Sequence, residues 1–254
     1  MRIPIIAANW KMHHDSDSAS EFLQRLLVLS RSVRNVEVLI VPPYTLLALC
    51  RGLLAESDII LAGQNFYPAS EGAFTGEISP PMLCDVGCEY VIVGHSERRQ
   101  LFHENDAFIA QKVRVALESD LNPILCIGET FDERAAGETE KVIAHQLESA
   151  LSNLELTSNQ EIVIAYEPVW AIGTGETASP EDAQAGASLI RDTIREMMGA
   201  EIADRTRIQY GGSVKPENAS EILSMPDVDG ALVGGASLDP DSFFAIVKAA
   251  QEAS

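Results

Sequence analysis

The sequence is short of positive charge. Lys and Arg number 18 against 38 Asp and Glu, a formal net charge of −20. Such a surface repels phosphate backbones and anionic lipid, which argues against general nucleic-acid or membrane-surface binding. An anionic ligand must therefore be held by local features, and the acidic, Lys-poor surface suggests salt tolerance. No apolar run approaches a membrane span. The apolar stretch from Ile3 to Trp10 stops at Lys11 and is too short for a secretory signal. Cysteine is scarce: Cys50, Cys84, Cys88 and Cys126, with no C-x-x-C pair and no zinc-ligand spacing. They read as small buried thiols of a reducing cytoplasm, Cys84 and Cys88 one turn apart if the segment from Pro80 is helical. G-x-x-x-x-G-K-[ST], H-E-x-x-H and G-x-S-x-G are all missing.

What is present is an alternation. Hydrophobic residues make up 46% of 254, enough for one large core. Short apolar runs at 4–9, 36–41, 59–63, 90–93, 121–126, 162–166, 205–209 and 230–233 read as parallel strands covered by helices. Amphipathic patterns at 18–30, 44–55, 106–119, 138–151, 180–198, 216–223 and 240–251 read as helices. Ser179-Pro180 and Asp239-Pro240 mark two of the starts. Eight βα units fill the chain, which predicts one (β/α)₈ barrel domain, residues 1–254, with a doubly wound sheet as the alternative. The connection from Gln64 to Ser79 is unusually long and aromatic. Phe66, Tyr67 and Phe74 either fold back onto the barrel or anchor a partner subunit.

Barrel chemistry sits where strands end. Glu167 follows an apolar strand and precedes Pro168-Val169-Trp170-Ala171-Ile172-Gly173-Thr174-Gly175. A loop with Val, Trp and Ile together reads as a lid that buries them on closing, and a carboxylate beneath it is desolvated into a stronger base. A solvated carboxylate ending a strand is the plainer reading. His95 lies at another strand end, with Ser96 as the N-cap of a turn starting at Glu97. A helix N-terminus disfavours imidazolium, so the ring can donate to a carbonyl as neutral imidazole. His13, His14, His103 and His145 read as structural or solvated. Lys11 at the end of the first strand is an anion attractor, with Glu97 to pair it. Gly211-Gly212-Ser213 and Gly234-Gly235 end strands seven and eight, the usual barrel phosphate site. Gly173-Thr174-Gly175-Glu176-Thr177-Ala178 matches G-x-G-x-x-A, but it stands too far from its strand to be a dinucleotide turn.

Taken together, Ala8-Asn9-Trp10-Lys11, Gly94-His95-Ser96-Glu97-Arg98-Arg99, Tyr166 through Gly175, Tyr210-Gly211-Gly212-Ser213 and Leu232-Val233-Gly234-Gly235-Ala236 stand in one order. In these segments the chain resembles the triosephosphate isomerase family over nearly its whole length. The resemblance implies a TIM barrel that interconverts dihydroxyacetone phosphate and glyceraldehyde 3-phosphate, in glycolysis and gluconeogenesis, without metal or organic cofactor. It implies Glu167 as proton shuttle and His95 as electrophile. Asn9 and Lys11 would stabilise charge, and the amides of Gly173, Ser213, Gly234 and Gly235 would hold phosphate. It also implies a cytoplasmic homodimer through the loop from Gln64, with Thr75 reaching the partner's Asn9/Lys11 region. Two positions depart from the family's usual residues: Glu176, where relatives often carry Lys, and His13-His14. A barrel kept for binding or adhesion, or an isomerase of larger phosphosugars, are the rival readings.

Overall fold

The computed structural model describes residues 2–152, 154–157, 159–171 and 178–253. Eight strands run β1 Ile5–Asn9, β2 Glu37–Val41, β3 Ile60–Gly63, β4 Tyr90–Val93, β5 Asn122–Ile127, β6 Val163–Tyr166, β7 Ile208–Tyr210 and β8 Gly230–Val233. All neighbours are parallel, and β8 returns to β1 with Ile5 opposite Gly230, closing the barrel. The doubly wound alternative is thereby set aside.

Alternation along each strand builds two cores. One set, including Ile5, Ala7, Leu39, Ile92, Ile124, Val163 and Leu232, packs inside the barrel. The other, including Ile6, Ala8, Ile40, Val91, Ile164 and Ile208, packs against the surrounding helices. At the foot of the barrel, buried Arg207 donates to Glu161, Glu37 and the Tyr90 hydroxyl, at 2.6–2.8 Å. This ionic group plugs the end opposite the carboxyl ends of the strands.

Among the described residues the α-helices are α1 Ser16–Leu29, α2 Leu47–Leu54, α3 Pro80–Asp85, α4 Ser96–Leu101, α5 Asp106–Glu118, α6 Phe131–Ala135, α7 Thr139–Leu151, α8 Pro180–Met198, α9 Ala200–Arg205, α10 Pro216–Leu223 and α11 Pro240–Ala253. The proline-marked starts hold: Pro180 opens α8 after Ser179, whose side chain forms a capping box with Asp182. Four short helices, α3, α4, α6 and α9, add to the expected seven. The seventh strand starts later than expected because Arg205 still belongs to α9.

The cysteine expectation needs one correction. Cys50, Cys88 and Cys126 are buried, but Cys84 is exposed. Cys88 also lies beyond the end of α3, where the chain has turned inward, so no helical turn carries both thiols.

The connection 64–79 divides in two. Its root folds onto the barrel: Phe66 is fully buried and Lys112 of α5 donates to Asn65 at 2.7 Å. Its tip, residues 71–77, stands exposed, with Phe74 stacked on Tyr67 at 4.2 Å and Thr75 in solvent.

Candidate active site

The strand ends converge on one cavity of about 550 Å³. Asn9 and Lys11 come from β1, His95 from β4, Glu167 from β6, Gly211, Gly212 and Ser213 from β7, and Gly234 and Gly235 from β8. Val214, Lys215, Glu217 and Ser242 form the outer rim.

Glu167 is 2% exposed and is held on one side of the cavity. Its Oε2 accepts from the Ser96 N–H at 2.9 Å, and Oε1 from the Ser96 hydroxyl at 3.3 Å. His95 Nε2 lies 3.1 Å from Oε1. The expected cap at Ser96 is wrong. His95 is the N-cap of α4, its Nδ1 accepting from the Glu97 N–H at 3.2 Å, and Ser96 is the first helical residue. Ser96 is committed to Glu167 instead. With Nδ1 used as an acceptor, Nε2 is the ring's donor position and it faces the cavity.

Lys11 Nζ pairs with Glu97 at 2.7 Å. Partial burial works to raise the Glu97 carboxyl, but the hydrogen bond and charge of Lys11 outweigh it and hold the group below the usual carboxylate range. The Lys11 backbone has φ 51, an uncommon left-handed conformation for a residue with a side chain. Two contacts hold it there: Asn9 Oδ1 accepts its N–H at 3.1 Å, and Gln64 Nε2 donates to its carbonyl at 2.8 Å.

Space constrains the glycines unequally. A Cβ on Gly211 would stand 2.9 Å from Glu167 Cγ, and one on Gly234 would stand 3.3 Å from Lys11 Cε. A Cβ on Gly235 would meet nothing within 4 Å, so its backbone borders open cavity.

The lid lies only partly within the described residues. Pro168 and Ala171 are buried, and Val169 and Trp170 are half-buried. Val169, Trp170 and Ala171 form a 3-10 turn. Ile172, Gly173, Thr174, Gly175 and Glu176 lie outside the described residues, and with them the expected phosphate contact of Gly173. The Trp170 indole N–H donates to Glu129 at 2.9 Å, and Arg134 lies over its ring at 4.1 Å. Glu129, fully buried, also accepts from the Tyr166 hydroxyl at 3.2 Å. Sequence reasoning passed over Glu129, although it stands just past β5, where the strand-end rule would have found it.

The model of the family described as triosephosphate isomerase matches residues 4–250. The chain belongs to the triosephosphate isomerase family. A triosephosphate isomerase of Symbiobacterium thermophilum is 53% identical over 253 residues, covering 100% of this chain and 99% of that one. Those of Chloroflexus aurantiacus and Fusobacterium nucleatum are each 51% identical, covering 97% and 98% of this chain and 99% of their own. For a member of this family, the cavity stands where the fold places its chemistry, at the carboxyl ends of the barrel strands.

Proposed function

We propose that the chain interconverts dihydroxyacetone phosphate and glyceraldehyde 3-phosphate through an enediolate. The observation that carries this reading is Glu167 and His95 Nε2 set 3.1 Å apart at the mouth of a glycine-lined cavity. In this scheme Glu167 removes a proton from C1 of the ketose. The electron pair becomes the C1–C2 double bond, and negative charge develops on the carbonyl oxygen. His95, donating from Nε2, and Lys11, with Asn9 holding its backbone, stabilise that charge. Proton exchange between the two oxygens through His95, and return of the carbon proton to C2 by Glu167, complete the aldose. This family is itself the type case for a Glu base beside a neutral imidazole under a closing loop.

Ser213, Gly234 and Gly235 are the described groups that would hold phosphate from strands seven and eight, with Gly173 of the lid as a further contact. Glu167 spends its hydrogen bonds on Ser96, so it must leave them to reach the substrate, and lid closure supplies the occasion. Burying the enediolate under the lid keeps water out and guards against loss of phosphate.

The working form in this reading is a cytoplasmic homodimer. The exposed tip 71–77, with Phe74 at 42% exposure and Met82 at 53% beside it, supports a partner contact there. Thr75 would reach the partner's Asn9/Lys11 region. Four cysteines with no disulfide suit a reducing compartment.

The deciding experiment is a triose-phosphate isomerase assay of the purified protein and Glu167→Gln. Folded Glu167→Gln should lose about 10²–10⁴-fold in turnover. An unchanged rate would remove Glu167 as the base, and an inactive parent would favour a binding barrel.

A further inference from the structure

The segment from Gly94 to Arg99 ends in a guanidinium that the reaction scheme leaves idle. Arg99 lies on α4 with its side chain 18% exposed. Nε donates to the Gly94 carbonyl at 2.9 Å and Nη2 to the Cys126 carbonyl at 3.2 Å. Nη1 donates to Asp106, the first residue of α5, at 2.6 Å. The two carbonyls are successive in one register. The last residues paired between β4 and β5 are Val93 and Leu125, so Gly94 and Cys126 come next, where the strands part. Arg99 bridges the gap that the backbone ladder leaves.

Both peptides it holds lead to the chemistry. The Gly94 carbonyl belongs to the peptide that carries His95. The Cys126 carbonyl belongs to the peptide with Ile127, whose own carbonyl accepts the Glu167 N–H at 2.7 Å. Gly94 has φ +72, and a Cβ there would come within 3.3 Å of Arg99 Nη2. The glycine lets the planar group lie against the backbone.

We propose that Arg99 is a positioning residue for the isomerisation: it ties the Gly94–His95 peptide to the end of β5, and so fixes His95 Nε2 against Glu167. This rests on the isomerase reading above. Arg99 touches no substrate. Its fork suits the task because its three nitrogens each meet a separate acceptor, whereas a lysine ammonium is a point donor on a flexible stem.

Arg99→Lys and Arg99→Ala are to be assayed beside the parent on triose phosphates, with His95 followed by ¹⁵N NMR of the imidazole. The expected result is a kcat lower by about 10- to 100-fold, the scale for misplacing a reacting group by about 1 Å. KM should stay within about twofold, because the phosphate is held from β7 and β8. The His95 nitrogen shifts should move in Arg99→Lys, and added guanidinium should partly restore Arg99→Ala. If Arg99→Ala does not fold, Arg99→Lys decides. Unchanged kcat and His95 signals in Arg99→Lys, with an active parent, overturn the proposal alone, as does a rise in KM with kcat intact. An inactive parent removes the isomerase reading and this proposal with it.

Discussion

Replacing Gly128 by Ala should damage catalysis through the backbone alone. Gly128 follows β5, and a Cβ there would stand 1.9 Å from the Glu167 carbonyl oxygen and 2.6 Å from its carbonyl carbon. Real Cβ contacts essentially never fall below 3.0 Å, so the two backbones must separate by at least 1.1 Å. Gly128 is held from behind by Gln146, which accepts its N–H at 2.8 Å and donates to its carbonyl at 3.3 Å. Glu167 is tied in turn through its N–H to the Ile127 carbonyl at 2.7 Å, so the strain is shared and part of the displacement falls on the base. A shift of about 1 Å in a reacting group costs on the order of 10²-fold in rate, or about 2.7 kcal/mol of barrier. Overpacking should remove a further ~1–3 kcal/mol of stability. Steady-state kinetics should show kcat down about 100-fold with KM little changed, and thermal melting should show a lower midpoint. A folded Gly128→Ala with kcat within about threefold of the parent would refute the reasoning, because the base would then tolerate a displacement that the geometry makes unavoidable.

Thiol ionisation should govern alkaline stability. Burial pushes Cys50 and Cys88 from the ordinary 9.0 up to about 12, and Cys126 well above 9.0. A raised folded-state pKa gives stability that is full below the unfolded value and is lost as pH climbs towards the folded one. The melting midpoint should therefore fall between about pH 9 and pH 12, and less steeply in Cys50→Ala; a slope identical in that variant would speak against the thiol. At pH 8 one thiol, exposed Cys84, should react with a chromogenic disulfide well before the other three. Thr75→Arg should shift the protein towards monomer in sedimentation and lower kcat; a stable, fully active dimer would show that the tip is not the interface.

Strand positions were readable because buried parallel strands are apolar on both faces. Tyr90 to Val93 and Gly230 to Val233 lie where the pattern put them. β7 began late because Ala200 to Arg205 carries helix-forming residues directly after the Gly199 break, and no proline flags the second start. The candidate residues at the strand ends were readable for the same reason as the fold. A barrel aims its carboxyl strand ends at one place, so Asn9, Lys11, His95, Glu167 and the paired glycines needed only a strand assignment to be gathered. Contacts made across distance were not readable. Ser96 ranks above His95 as a cap by local preference, yet its hydroxyl is drawn to Glu167, 71 residues away in sequence. Glu129 itself could be gathered by the strand-end rule, but its partners Tyr166 and Trp170, brought to it by β6 and the turn after it, could not. The exposure of Cys84 turns on where α3 stops, which composition does not record.

The pairing of β8 with β1 has a consequence for the birth of the enzyme on the ribosome. Asn9 and Lys11 are made well before Gly234 and Gly235; they share one cavity only when the ring shuts. Until Gly230 to Val233 emerges, β1 lacks its partner on that side, and an unpaired edge is open to the wrong neighbour. Synthesis therefore yields nothing by instalments: the nascent chain stays inert and needs shielding until β8 has emerged, and function then switches on in a single event.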